Sequence, residues 1–121
     1  MGWFKNKKTL PGDDGSTYYG HTKDGKPHGD GEMNWPDGMR HKGEYKNGLP
    51  NGKGSLVYPD GSKYTGDFKD GNSYGTGLFN FANGDYYVGN FKNGVPHGHG
   101  TMHLSNGRKH FGEFKNGLFI G

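Results

Sequence analysis

The sequence predicts an all-β protein, a single elongated antiparallel meander sheet of stacked β-hairpins. Three observations predict it. A unit recurs every 23 residues without insertion, and its copies begin at Gly15, Gly38, Gly61, Gly84 and Gly107. Each unit holds two extended segments separated by turn-forming pairs. Residue character alternates along each segment with the period of a strand. A fixed period of this size indicates a repeat array.

The connections are Asn-Gly and Asp-Gly pairs. Both pairs tolerate the positive φ of a type I′ turn, whose twist matches flanking antiparallel strands. We therefore expect every connection to be a two-residue hairpin turn. The first connection of each unit lies at Asp24-Gly25, Asn47-Gly48, Asp70-Gly71, Asn93-Gly94 and Asn116-Gly117, and the second at Asp14-Gly15, Asp37-Gly38, Asp60-Gly61, Asn83-Gly84 and Asn106-Gly107.

Composition limits the kind of core that the sheet can have. The 121 residues suggest one domain. Only 27% are hydrophobic and the mean hydropathy is -1.09, values that are compatible with disorder. The aromatic residues are evenly spaced, however, and all of the 26 glycines except Gly2 and Gly12 fall at five fixed places. We therefore expect an ordered sheet with a thin core of aromatic rings.

Residues 1–14 precede the array and are predicted to form a half-repeat that caps the sheet, because Gly2-Trp3-Phe4 resembles Gly112-Glu113-Phe114. The alternative is a frayed tail. The array then comprises units 15–37, 38–60, 61–83 and 84–106, followed by a partial unit at 107–121.

The two faces of the sheet are expected to differ. One face of a first strand carries Tyr87, Gly89 and Phe91, and one face of a second strand carries Gly100 and Met102. A glycine in a strand leaves a hollow over which a ring from a neighbouring strand can lie. The opposite face is mostly polar. The pattern predicts one packed face and one solvated face.

Two groups of sequences carry a family resemblance. The segments GSKYTGDFKDG, GDYYVGNFKNG and GRKHFGEFKNG, with KPHGDGEMNWPDG, LPNGKGSLVYPDG and VPHGHGTMHLSNG, resemble the two halves of the MORN (membrane occupation and recognition nexus) repeat. The resemblance covers Gly15 to Gly121. It implies one hairpin per repeat in a curved, groove-forming sheet, with roles in scaffolding, protein–protein interaction, dimerisation or contact with anionic phospholipids. The chain departs from the pattern at Thr22, Asn51, Tyr74 and Phe119-Ile120.

Catalysis and cofactors are not expected. The Gly-x-Gly pairs lack the third glycine of a nucleotide loop and lie in strands. There is no cysteine. The serines lie at or near turns or on variable strand positions, where the pattern places no base that could activate them as nucleophiles. No metal site is expected either; the alternative is a site at His97, His99 and His103, since His97 and His99 share a strand face.

The first functional hypothesis is a non-enzymatic scaffold that binds a protein partner or a second copy. Its contact residues would be groove-lining rings, some of which must instead be core, and the sequence does not sort them: Tyr64, Phe68, Phe79, Phe81, Tyr87 and Phe91. Apolar residues at the last strand would supply an edge contact or a cap: Leu118, Phe119 and Ile120.

The alternative is a peripheral binder of anionic phospholipid surfaces. A lysine recurs at the same place in every unit: Lys23, Lys46, Lys69, Lys92 and Lys115. A net charge of +3 is modest, so a nucleic-acid partner is not expected. No apolar run approaches the roughly 18 residues of a membrane span, and the N-terminus has no apolar signal segment. We expect a cytoplasmic protein, peripheral to membranes if the lysines bind lipid.

Overall fold

The computed structural model describes residues 7–121, and eleven strands in this range form one open antiparallel sheet in sequence order. The strands are β1 (Lys7–Pro11), β2 (Thr17–Lys23), β3 (Lys26–Asn34), β4 (Arg40–Lys46), β5 (Leu49–Val57), β6 (Lys63–Lys69), β7 (Asn72–Asn80), β8 (Tyr86–Lys92), β9 (Val95–His103), β10 (Lys109–Lys115) and β11 (Leu118–Phe119). The predicted meander is confirmed. No helix within residues 7–121 is long and apolar enough to cross a membrane.

The connections within hairpins are two-residue turns, as predicted. Asn93 has φ 52° and Gly94 has φ 87°, the positive pair that a type I′ turn requires. The four equivalent pairs have the same signs. Each such turn joins a seven-residue first strand to the second strand of its hairpin, as Lys92 at the end of β8 is joined to Val95 at the start of β9.

The connections between hairpins are longer than predicted, and the two-residue prediction is wrong for them. Five residues separate Asn34 at the end of β3 from Arg40 at the start of β4. Gly38 N donates to Trp35 O at 3.1 Å, and Trp35 N donates to Met39 O at 2.9 Å. Only the glycine has positive φ. This is the pattern of a type I turn followed by a left-handed glycine, for which Pro36 supplies a suitable φ.

A bulge interrupts four of the hairpins at their glycines. Gly89 pairs with Gly100, whereas Phe91 pairs with Pro96. Three residues of β9 therefore face Asn90 alone. Because two residues are added, the alternation of faces is preserved on both sides of the bulge. Equivalent register shifts occur at Gly20, Gly43 and Gly66.

The core consists of rings on one face of the first strands. Its buried side chains are Tyr18, His41, Tyr45, Tyr64, Phe68, Tyr87, Phe91 and Phe114. Neighbouring rings meet edge to face, and the Tyr87 centroid lies 5.1 Å from that of Phe91 and 4.8 Å from that of Phe114. Val88, next to Tyr87 but on the other face, is 43% exposed while Tyr87 is 0% exposed. One face is packed and the other is solvated, as predicted.

The rings occupy the hollows that the glycines leave. A Cβ added to Gly100 would collide with the ring and hydroxyl of Tyr87, and one added to Gly77 would collide with Tyr64. The Tyr87 hydroxyl crosses the glycine and donates to Asn90 O at 2.9 Å. Ring burial and bulge geometry are therefore linked, because the bulge presents the carbonyl that satisfies the buried hydroxyl.

The predicted N-terminal cap is described only in part, because Gly2 to Asn6 lie outside the described residues. From Lys7 onward the chain does add a strand to the sheet, since β1 pairs with β2 from Lys7 opposite His21 to Pro11 opposite Thr17. The cap itself stays a prediction.

Candidate functional site

Four of the six predicted groove aromatics are core residues. Tyr64, Phe68, Tyr87 and Phe91 are each at most 5% exposed. Their prediction as partner contacts is wrong, because glycines on the adjacent strands let these rings sink onto the backbone, where neighbouring rings cover their edges. Such side chains hold the sheet together and leave almost no surface for a partner.

Phe79 and Phe81 do lie at the surface of the packed face, Phe79 half-buried and Phe81 36% exposed. Both belong to the second strand of their unit and its loop. The equivalent positions of the other units are also apolar and half-buried. We call these eight residues the groove stripe: Met33, Trp35, Leu56, Tyr58, Phe79, Phe81, Met102 and Leu104.

The register places the groove stripe on the same face as the core rings. Leu56 lies opposite Tyr64, and Phe79 lies opposite Tyr87. The sequence prediction missed most of the stripe because it favoured the more regular aromatic residues of the first strands. A signal was present: these two positions are apolar in all four units.

Ring contacts and one hydrogen bond hold the stripe in place. The centroid of Phe79 lies 4.7 Å from that of Phe81 and 5.6 Å from that of Tyr58. Trp35 Nε1 donates to Asp14 Oδ2 at 3.2 Å, which ties the indole to the preceding loop. Aromatic side chains held in this way are preorganised for contact.

A cleft of about 240 Å³ opens on this face between neighbouring hairpins. It is lined by Trp35, Met39, His41, Leu49, Pro50, Leu56, Phe68 and Gly71. A second cleft, of about 210 Å³, is lined by residues that include Gly12, Ser16, Tyr18, Pro27 and Met33, each 23 positions before a residue of the first cleft. The apolar clefts therefore recur with the repeat. Clefts of this lining can accept apolar side chains of a polypeptide.

The five repeated lysines are all exposed, and each ends the first strand of its hairpin. They lie along one long edge of the sheet. Within residues 7–121 no ion pair joins them to a carboxylate. Asp67 instead pairs with Lys53 at 2.6 Å, and Glu113 Oε1 lies 3.4 Å from His99 Nε2. The Lys69 ammonium lies 4.9 Å from the centre of the Tyr74 ring.

His28 and His97 connect neighbouring hairpins. His97 Nδ1 accepts a hydrogen bond from Asn116 N, and His28 Nδ1 accepts one from Asn47 N, both at 3.3 Å. Asn51 Oδ1 accepts the equivalent bond from Asp70 N at 3.0 Å. We call this hydrogen bond, from a type I′ turn to the side chain 19 residues earlier, the turn latch.

The histidine alternative for metal binding is not supported. His97 Nδ1 accepts the turn-latch hydrogen bond, and the ring of His103 stacks on that of Tyr86 with 4.3 Å between their centroids. In the part of the chain that the structure describes, no three His, Cys, Asp or Glu side chains are grouped so as to hold a metal ion.

His41 is a buried titratable residue whose role the sequence prediction missed. It is 0% exposed, and its Nδ1 shares a hydrogen bond of 2.7 Å with the Tyr45 hydroxyl. Its Nε2 has no hydrogen-bond partner among residues 7–121. Burial lowers the pKa of His41 to about 4, so the ring is neutral near pH 7. In the equivalent tyrosines Tyr18 and Tyr64, burial raises the pKa to about 12.

The apolar segment 118–120, after β10, covers part of the core and also leaves apolar side chains of its own exposed. Phe119 lies 5.2 Å from Phe114 between ring centroids, and Ile120 N donates to Glu113 O at 2.9 Å. Leu118 and Ile120 remain 70% and 59% exposed. Phe119 thus covers a core ring, while an edge contact through this segment stays a prediction.

Comparison with solved structures finds the same fold. The TCP domain of SAS-4 from Drosophila melanogaster, solved in complex with a proline-rich motif of Ana2, matches with a TM-score of 0.55 and 14% identity. The match covers 92% of this chain and 62% of that chain, so this chain spans less than two thirds of the neighbour. At this identity the likeness shows the fold alone. No curated protein matches the chain.

Comparison with protein families gives four consecutive matches to the MORN repeat, at residues 18–40, 41–63, 64–86 and 87–107. The matched period equals the spacing of the hairpins, and the matches cover most of the sheet. MORN repeats indicate a repeat binding or scaffold module, and they point away from an enzyme. The chain belongs to the MORN repeat family.

Proposed function

We propose that the protein is a scaffold module that binds a partner protein through the groove stripe. The observation that carries the proposal is that all four units keep two apolar, partly exposed residues at this place. Trp, Tyr, Phe and Met are also the residue types enriched at protein interfaces. The solved neighbour of the same fold binds a motif of another protein, which supports a protein partner here.

The position of the stripe favours binding over a purely structural role. Leu56, Phe79 and Met102 pack against the core cluster that contains Tyr87 and Phe91, and each of them stays partly open to solvent. Apolar side chains that are grouped on one face and stay partly exposed are typical of an interaction site. The same surface would also serve self-association, with a second copy in the partner's place.

The test compares variants on the two faces of the sheet. The groove variant is Trp35→Ala with Tyr58→Ala, and the matched control is Tyr19→Ala with Val88→Ala, which removes exposed side chains from the opposite face. Proteins captured from the native host should be lost with the groove variant and retained with the control. Thermal unfolding must show both variants folded, and light scattering reports self-association. Equal capture by both variants would contradict the proposal.

A second candidate is binding to anionic phospholipid surfaces through the repeated lysines, at the cytoplasmic face of a membrane. It is favoured by five exposed ammonium groups on one edge, none of which forms an ion pair with a carboxylate of residues 7–121. Near an anionic surface each contributes about 1 kcal/mol.

Vesicle sedimentation tests this candidate. The protein should sediment with phosphatidylserine-containing vesicles but not with phosphatidylcholine vesicles, and binding should weaken as salt rises. A variant with Lys46→Gln, Lys69→Gln and Lys92→Gln should lose most of it. Sedimentation that is indifferent to these substitutions would exclude the lysine edge as the site.

A further inference from the structure

We propose that the groove stripe takes a proline-rich segment in the polyproline II conformation. The segment lies across the strands, along the axis of the array, with an apolar residue at every third position seated against a successive unit. This inference rests on the function proposed above and specifies the partner's chemistry.

The spacing of the units along the sheet favours a ligand in the polyproline II conformation. Each unit contributes two neighbouring strands, so equivalent side chains recur about 9.6 Å apart along the sheet. One turn of a polyproline II helix contains three residues and rises about 9.3 Å. A β-strand repeats its faces about every 6.7 Å, and an α-helix repeats about every 5.4 Å per turn, or 10.5 Å per heptad. Of these conformations, polyproline II matches the unit spacing most closely, to about 0.3 Å per unit.

Hydrogen bonding also favours this conformation. The strands of the sheet bond one another from β1 to β11, so the groove face offers no ladder to an incoming strand. A buried amide without a partner costs about 2–7 kcal/mol in apolar surroundings. Proline has no N–H, and the polyproline II backbone stays solvated on its outer side. A proline-rich segment can therefore cover the stripe without burying N–H groups that have no hydrogen-bond acceptor.

The side chains of the stripe suit such a ligand. Trp35, Tyr58 and Phe81 hold the same position in successive units, and the two clefts place Pro27 and Pro50 at equivalent points. Aromatic-lined grooves are the usual partners of polyproline II segments. Four units give contact positions i, i+3, i+6 and i+9, so a segment of about ten residues spans the stripe.

The experiment uses the full chain and two fluorescein-labelled peptides of identical composition. Both contain 13 residues, four leucines in a background of proline, with leucine at every third position in one peptide and at every fourth in the other. Fluorescence anisotropy should show the triplet peptide binding about tenfold more tightly, since single anchors of an interface contribute about this much. In a Trp3→Phe background, Trp35 fluorescence should shift to the blue on binding.

Two variants locate the site. Tyr58→Ala should weaken the triplet peptide about tenfold, whereas Tyr19→Ala, on the opposite face, should leave its affinity unchanged. Equal affinity for the two peptides, or no binding of either, would overturn the inference. If partner capture still depends on the groove stripe in that case, the proposed function stands without it; if capture is also independent of the stripe, both fail.

Discussion

Hairpins β4–β5 and β8–β9 have the same strand pairing and the same register shift, but they bury different polar groups. In β8–β9, the Tyr87 hydroxyl spans the glycine pair and donates to Asn90 O, and Phe91 brings only a ring. In β4–β5, the shorter His41 takes the first position, and the Tyr45 hydroxyl at the second position bonds His41 Nδ1 at 2.7 Å. The buried hydroxyl therefore belongs to the first ring of the pair in β8–β9 and to the second ring in β4–β5.

The difference shows what a unit of this sheet requires. A flat ring must fill the hollow over the glycine, and a polar atom carried into the core must have a partner. The sequence can meet both requirements with Tyr and Phe or with His and Tyr. The second solution leaves His41 Nε2 without a partner in the described range, and it introduces a group that titrates between acidic and neutral pH.

The largest expected effect is a loss of stability between pH 6.5 and pH 4 that His41, in the β4–β5 hairpin, causes. Burial lowers the pKa of His41 to about 4 in the folded protein, against its ordinary value of 6.5. Between these pH values the unfolded chain binds a proton that the folded chain does not, so stability falls as pH falls from 6.5 to 4. The difference corresponds to about 3 kcal/mol.

The control for this prediction is His41→Tyr with Tyr45→Phe, which recreates the pair found at Tyr64 and Phe68. Urea unfolding of the wild-type protein and of this variant across pH 4–7 should give free energies of unfolding that differ by a constant amount above pH 6.5, and the wild type should lose more stability than the variant below it. A constant difference over the whole range would show that His41 does not titrate as a buried group.

A second prediction concerns the glycines under the two rings. Gly100→Ala drives a methyl group into Tyr87, whereas Gly54→Ala meets His41 Nε2 at 2.8 Å, where the smaller ring leaves more room. We expect losses of about 3 and about 1 kcal/mol in the free energy of unfolding. Chemical denaturation measures both, and equal losses would mean that the ring above the glycine does not set the cost.

The smallest expected effect lies at the turns. His97→Ala removes a turn latch and should cost about 0.5–1 kcal/mol. Tyr74 occupies the same place in its unit, where no latch is formed within the described structure and the ring instead lies under Lys69. Tyr74→Ala should therefore change the unfolding free energy by less than about 0.5 kcal/mol. The reverse order of the two losses would contradict a role for the latch.

Much of the fold could be predicted because the repeat supplies the same evidence several times. The turns at Asn93-Gly94 and its equivalents followed from dihedral preference alone. The turns between hairpins could not be predicted in this way, because the Asp-Gly or Asn-Gly pair lies inside a longer connection that is closed by a backbone hydrogen bond such as Trp35 N to Met39 O. Phe81 and Leu104 form the equivalent bonds without a proline, so the pairing of the strands and not the local residue type determined the turn.

The candidate site was harder to predict. The sequence did not sort the six predicted contact rings into core and surface, so Phe79 and Phe81, which lie at the surface of the packed face, were not distinguished from the buried Tyr87 and Phe91. All four lie on that face of the sheet. The alternation of residue types along a strand indicates which face a side chain is on, but not how deeply that side chain is buried. The burial of a ring depends on whether it lies over a glycine of the neighbouring strand. This is a contact between two strands, and the sequence of one strand does not show it.

The sequence by itself determined the strand order, the face of each residue and the length of the unit, because these follow from a fixed period and from the dihedral limits of Asn-Gly and Asp-Gly. Only the tertiary structure decided which rings are core, which residues form the groove stripe, and that His41 is buried beside Tyr45. Each of those outcomes depends on distances across neighbouring strands, which no single segment of the chain encodes.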